Sequence, residues 1–469
     1  MVKLAQTMSP LEPYLEAVAR TRNQAFNRGD VTPSEMSRRR CAVTRKHPPA
    51  SAHWLEHPIG GRGFWALDSE VTFLNHGSFG SCPRPVLAYQ RAIQDRMERQ
   101  PMRFFVDDFE ALWDEARRTL ADFVGAQADE LVFVTDATEG VNTVLRSLRF
   151  KRGDELLVTD HEYNACRNTL DCVAADSGAR VVVMPVPFPL ASSDEVVEAV
   201  LRGVSRRTRL ALLDQVTSST GLVLPMAKLV RELAARGVDT LVDGAHGPGM
   251  VPLNLRKLGA AYYTGNCHKW LCAPKGAAFL HVRADLQRRI RPLVISHGAN
   301  SPRTDRSRFL LEFGWMGTDD PSAWLAVPEA LRCVGGLLPG GWPDVMRRNR
   351  ELALAARHAL CDALEVPLPA PDEMIGSLAS IPLPDAQTAG RAAILHGLDA
   401  MRDELLREYR IEVPVFPWPA PPKRLLRISA QLYNALPDYV KLAEAVKALL
   451  GKPTIRPRKS RLKTQTRPA

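Results

Sequence analysis

Thr264-Gly265-Asn266-Cys267-His268-Lys269-Trp270, continued by Leu271-Cys272-Ala273-Pro274-Lys275-Gly276, is the stretch around which the chain is organised. An apolar run, Ala260-Ala261-Tyr262-Tyr263, leads into it, and Ala277-Ala278-Phe279-Leu280-His281-Val282 leads out. Both have the length and flanking turn residues of short buried strands. Lys269 therefore sits on a loop between strands. Partial desolvation there favours its neutral amine, a nucleophile toward an aldehyde. A lone loop lysine is ordinarily a solvated charge. A carboxylate upstream changes that reading.

Val238-Asp239-Thr240-Leu241-Val242 predicts a parallel strand ending at Asp243, followed by Gly244-Ala245-His246-Gly247. A carboxylate at the C-terminal end of such a strand faces the ligand crevice, unless it serves only to cap a following helix. Asp243 and Lys269 are 26 positions apart, room for one strand–helix–strand unit. Pyridoxal phosphate asks for this pair. A lysine bonds its aldehyde, and an acid keeps its pyridine nitrogen protonated so that the ring acts as an electron sink.

Asp243-Gly244-Ala245-His246 and His268-Lys269 resemble the signatures of class V (cysteine desulfurase-like) pyridoxal-phosphate enzymes. Leu74-Asn75-His76-Gly77-Ser78-Phe79-Gly80 and Gly376-Ser377-Leu378-Ala379-Ser380-Ile381-Pro382-Leu383-Pro384 resemble one branch, the isopenicillin N epimerase-like proteins. The likeness runs from about Phe64 to Leu450. It implies fold type I: an α/β architecture with a mainly parallel, seven-stranded sheet, helices on both faces and a smaller α+β domain. It implies pyridoxal 5′-phosphate on Lys269, Asp243 at the ring nitrogen, and His246, Asn266 and His268 as further cofactor contacts. Asn75 and His76 are then expected over the active site against an amino-acid substrate, with Arg427 on its carboxylate. The aromatic ring on the pyridine face comes from His161 or Tyr163. Thr318, in Gly317-Thr318, is expected to reach the phosphate of the neighbouring subunit of a homodimer.

Strand and helix patterns alternate from Glu130 to Val282, which predicts a mainly parallel sheet covered on both faces. Predicted strands end at Thr135, Thr159, Gln215 and Asp243, and chemistry-bearing residues follow each end. Thr135-Asp136-Ala137-Thr138-Glu139-Gly140 precedes a helix predicted over Val141–Leu148. Such a turn offers free N–H groups to an anion. It suits the cofactor phosphate, through the Ala137 amide and the Thr138 amide and hydroxyl, or else it is a plain helix cap. Ser218, in Val216-Thr217-Ser218-Ser219-Thr220-Gly221, is in reach of cofactor or substrate, although such clusters are more often simple turns. Arg427 is the one charge in Leu425-Leu426-Arg427-Ile428-Ser429. Its planar fork fits a carboxylate, with Glu404 or Glu412 as alternative structural partners.

The net charge of +10 lies in the ends. Residues 1–50 carry +5 and residues 451–469 carry +7, which leaves the body near −2 and gives no reason to expect a specific nucleic-acid partner. A helix is predicted over Pro13–Phe26 and a linker over Thr32–Pro58. The expected division is a basic extension at 1–62, a large cofactor-binding domain at 85–325, a small domain from 63–84 and 326–450, and a basic tail at 451–469. No run of apolar residues is long enough to span a membrane, and no secretory pattern follows Arg38-Arg39-Arg40. Eight cysteines without a Cys-x-x-Cys pair fit reduced thiols in the cytoplasm, and no metal site is expected.

Chemistry at the substrate α-carbon starts with loss of a proton to the Lys269 amine. Return of the proton to the other face gives epimerisation, the leading expectation. Aminotransfer and carbon–sulfur cleavage share the machinery and stand as alternatives. Persulfide-forming desulfuration needs a cysteine on a small-domain loop, and none lies between Leu364 and Pro384.

Overall fold

A computed structural model describes residues 52–386 and 399–451. The helix predicted over 13–26, the first part of the 32–58 linker and the C-terminal tail from 452 lie outside the described residues, as does the 389–398 portion of a helix predicted over 389–409. The strands are β1 (Thr72–Phe73), β2 (Leu131–Val134), β3 (Glu155–Thr159), β4 (Arg180–Met184), β5 (Thr208–Asp214), β6 (Asp239–Asp243), β7 (Tyr262–Asn266), β8 (Ala278–Val282), β9 (Leu378–Leu383), β10 (Ile411–Glu412), β11 (Val415–Pro417) and β12 (Arg424–Ser429).

β2 to β8 form one seven-stranded sheet in the order 2-8-7-6-5-3-4. Only β8 runs against its neighbours; β3, β4, β5, β6 and β7 are parallel. These strands read as near-continuous apolar runs because helices cover both faces. Alternate residues face opposite layers. Phe133, Ala211, Leu213, Val242 and Phe279 enter one core, and Val134, Leu156, Leu212, Leu241 and Leu280 enter the other. Full burial of Phe133 or Phe279 stabilises the fold by roughly 1.5–3 kcal/mol each.

A three-stranded antiparallel sheet, β11-β12-β9, has its own core with the helices Trp342–Leu364 and Leu436–Gly451. β1 pairs in parallel with β10, which ties the segment before Asn75 to this second layer. The helix Val327–Gly335 falls in the expected small domain, yet its Val327, Ala330 and Leu331 pack into a core of the large sheet.

Several local expectations change. Between Asp243 and Lys269 the only helix is one turn, Leu255–Leu258, because Pro248, Gly249 and Pro252 interrupt a longer one. The helix after β2 begins at Ala137, four residues early, because Asp136 caps it by accepting from the Glu139 N–H at 2.8 Å. The strand expected over 411–416 splits into β10 and β11 before Pro414, which has no N–H to donate. His76–Phe79 is a helical turn where a loop was expected.

Candidate active site

A pocket of about 340 Å³ opens at the C-terminal ends of β2, β3, β5, β6 and β7. Lys269 lies on its wall, three residues beyond β7. The lysine loop is held from below. His76, fully buried, bonds the Lys269 carbonyl through Nε2 at 2.9 Å and the Tyr433 hydroxyl through Nδ1 at 2.8 Å. Gly80 crosses close by with φ +69°, and a Cβ there would stand 1.9 Å from the His268 carbonyl, so only glycine fits. Burial lowers the Lys269 amine to about 8, helped by the Arg427 charge and opposed by Asp243, Cys166 and Asp214. Its Nζ is 3.1 Å from His246 Nε2, and the Trp270 indole N–H donates to His246 Nδ1 at 3.2 Å.

Asp243 ends β6 and is 2% exposed. Its Oδ1 accepts from the Ala245 N–H at 2.9 Å, and its Oδ2 accepts from the Cys166 thiol at 3.2 Å. Burial raises its carboxyl, while those two donors and Lys269 act against the rise. Asp214, at the end of β5, lines the same pocket, and Glu162 lies buried beside Asp243. Burial and neighbouring carboxyls push both well above the ordinary carboxylate range. The strand-end rule that found Asp243 also marks Asp214. Cys166 carries no sequence signal, since it sits in the first turns of the helix Asn164–Ser177.

Toward the helix start, the Thr135 N–H and hydroxyl both donate to the Glu139 carboxylate, at 2.7 and 2.6 Å, and Thr138 lies on the pocket wall. Thr138 stands in the first turn of its helix, where N–H groups lack intrahelical acceptors. The Ala137 amide, expected to be free, donates instead to Asn266 Oδ1 at 2.9 Å. His268 lines the pocket with its buried Nδ1 unpartnered among the described residues. Burial, and the Lys269 charge after it, lower this imidazole to about 4, so it is neutral and able to donate one N–H.

Tyr163 lines the pocket. His161 does not: it is 2% exposed and spends Nδ1 on the Thr220 hydroxyl at 2.8 Å and Nε2 on the Val186 carbonyl at 3.0 Å. Asn75 and His76 also lie off the wall. Asn75 Oδ1 accepts from the Ser78 hydroxyl at 2.6 Å, and Ser78 and Phe79 form the wall in their place. Ser218 lines the wall and accepts from Arg427 Nη1 through its carbonyl at 2.6 Å. Arg427 Nη2 donates to the Ser78 hydroxyl at 2.8 Å. The guanidinium is 5% exposed, its Nε has no partner, and among the described residues no carboxylate pairs with it. Glu404 and Glu412 make no ion pair with it. Thr318 is exposed and lines a separate aromatic pocket of about 300 Å³ that meets the first at Thr135.

A half-buried lysine, a carboxylate at a strand end and open donors at a helix start fit pyridoxal phosphate; the orphaned His268 Nδ1 is the group its phosphate would satisfy. The family model described as Aminotransferase class-V matches residues 92–398. The chain belongs to that family. The family's cofactor is pyridoxal phosphate, and this chain is a pyridoxal-phosphate enzyme. It is 39% identical over 399 residues to isopenicillin N epimerase of Amycolatopsis lactamdurans, covering 82% of this chain and 96% of the relative. It is 32% identical over 412 residues to a probable chloroplastic L-cysteine desulfhydrase of Arabidopsis thaliana, covering 82% and 84%. Among solved structures it resembles a C-DES mutant holding glycine linked covalently to the PLP cofactor, with TM-score 0.65, 21% identity, and 80% and 96% of the two chains covered.

Proposed function

We propose that this enzyme acts at the α-carbon of an amino acid with a free carboxylate, as an isopenicillin N epimerase-like epimerase or racemase. One observation carries the substrate class. Arg427 is a buried cation without a carboxylate partner among the described residues, and burial lowers it to about 10. A buried unpaired charge is costly, so the site is complete only with an anion on its fork. The 39% likeness to an epimerase supports the reaction.

Bound pyridoxal phosphate supplies the electron sink that lets an α-proton leave. The chain's residues supply the rest. Lys269 would hold the cofactor through its amine and, as a free amine, would take the α-proton. Asp243 holds the proton on the ring nitrogen. Thr138 and His268 donate to the phosphate, and Tyr163 covers the ring. Arg427 fixes the carboxylate and thereby points the α-hydrogen at Lys269. Incubation in deuterium oxide tests the reading: an amino-acid substrate should gain α-deuterium and become a mixture of the two configurations at that carbon. Absence of α-exchange, or decarboxylated amines serving equally well, would sink it.

A second reading is carbon–sulfur cleavage, favoured by the desulfhydrase relative; release of sulfide from cysteine would decide for it. Transfer of the amino group to an acceptor oxo acid, without release of ammonia, would decide for aminotransfer. Among the described residues no cysteine lines the pocket, which speaks against persulfide-forming desulfuration.

The active unit in this reading is a cytoplasmic homodimer. Support comes from Thr318, which is exposed and does not line the Lys269 pocket, and which shares a separate pocket with exposed Val294 and several aromatic rings. Unpaired cysteines fit the compartment. Among the described residues no helix is long and apolar enough to cross a membrane. The separate core under β9, β11 and β12 supports a large and a small domain.

A further inference from the structure

We propose that Trp270 is a positioning residue: its indole N–H holds His246 in the one tautomer that presents an N–H to Lys269, and so keeps that lysine a neutral amine. This rests on Lys269 being the cofactor lysine. An indole nitrogen only donates, so the 3.2 Å contact from Trp270 Nε1 to His246 Nδ1 requires a bare Nδ1. A neutral imidazole then carries its hydrogen on Nε2, the atom 3.1 Å from Lys269 Nζ. An ammonium has three hydrogens and no acceptor, so it would meet that N–H hydrogen to hydrogen. A neutral amine meets it with its lone pair. The geometry selects the amine without any reference to the rest of the site. His246 is 2% exposed and Trp270 1% exposed, so water does not relieve the mismatch.

Other charges face the lysine as well. Arg427 from β12 acts in the same direction, and Asp243 from β6, Asp214 from β5 and Cys166 from the helix after β3 act against it. His246 itself is held neutral by burial first, with the Arg427 charge acting in the same direction. Trp270→Phe alters none of these groups. It keeps most of the ring and removes one N–H. His246 can then move its hydrogen to Nδ1 and accept from an ammonium through Nε2.

The test uses the full chain stripped of cofactor, with the rate of pyridoxal-phosphate capture followed by absorbance across pH. The wild-type rate should rise through a midpoint near the Lys269 value of about 8. Trp270→Phe should move the midpoint up by about one unit, cutting capture at pH 7 by about tenfold and leaving the alkaline plateau unchanged. An unmoved midpoint overturns the proposal. So does a neutron structure of the wild type with the deuteron on His246 Nδ1, a measurement that stands even if the variant fails to fold. Borohydride trapping of the wild-type adduct on a residue other than Lys269 would instead defeat the underlying assignment.

Discussion

Replacing Arg427 with Met separates a substrate-binding arginine from a structural one. The side chain donates two short hydrogen bonds, to the Ser218 carbonyl at 2.6 Å and the Ser78 hydroxyl at 2.8 Å. Losing bonds from a charged donor costs roughly 1.5–3 kcal/mol each, before desolvation is counted. Removing an uncompensated buried charge returns several kcal/mol. Met refills much of the volume against Phe416, whose ring lies 5.8 Å from the guanidinium carbon. The terms oppose, so fold stability should change by no more than about 2 kcal/mol, a shift of a few degrees in melting temperature. Binding has no such offset. A buried charge pair with one partner truncated loses about 2–5 kcal/mol, so kcat/KM for an amino acid should fall by roughly 30- to 5000-fold. Thermal melting, the visible cofactor spectrum and steady-state kinetics on the same preparation give the answer. A melting temperature lower by more than about 10 °C, a lost cofactor spectrum, or a fall in kcat/KM below tenfold would refute the reasoning.

The purified enzyme should be yellow, and borohydride should fix the cofactor to Lys269; an adduct mapped to Lys275, which lines the same pocket, would move the assignment. Because the folded Lys269 value of about 8 lies below the ordinary lysine value of 10.5, the cofactor-free native state binds fewer protons than the unfolded chain between those pH values. Its stability should therefore rise with pH across that window, and Lys269→Met should flatten the rise in chemical-denaturation curves. Asp243→Asn keeps the size, removes the charge at the ring nitrogen, and should cut turnover by orders of magnitude while cofactor still binds; near-normal turnover argues against the role. Lys269→Ala and Thr318→Trp chains, each weak alone, should regain activity on mixing if subunits share sites, whereas a fully active monomer excludes sharing.

The sequence made most of the central sheet legible because its strands are buried on both faces and short apolar runs survive as pattern. β3 was bounded to the residue, and the positions of Asp243 and Lys269 followed from strand ends alone. What stayed hidden depends on side-chain direction. His161 and Tyr163 are two positions apart on the same turn, and spacing cannot say which enters the pocket; the Thr220 and Val186 contacts decide it. His76 has the residue type of a substrate contact, but the small turn His76–Phe79 directs it beneath the lysine loop. Cys166 and Trp270 are buried, yet each aims its one donor at a group of the site. A hydrogen bond between residues 77 or 24 positions apart leaves no trace in local composition.

The carboxyls around the ring site show why Asp243, of three candidates, is the one suited to carry charge. Asp214, Asp243 and Glu162 are buried together, and three neighbouring carboxylates in that setting would repel one another while shedding their hydration. Neither oxygen of Glu162 has a partner among the described residues, nor does Asp214 Oδ2. Burial and the neighbouring carboxyls raise both groups well above the ordinary carboxylate range, outweighing the Lys269 charge near Asp214 and the Arg167 charge near Glu162. Asp243 differs in having a donor on each oxygen, a backbone N–H and a thiol. Two neutral donors offset only part of its burial, which is why its carboxyl still rises. The missing stabilisation is a cation against the carboxylate. A protonated pyridine nitrogen is such a cation, and it gains from Asp243 what Asp243 gains from it. Asp243→Asn would remove that mutual preference, and with it the charge that helps to hold Asp214 and Glu162 above the ordinary carboxylate range.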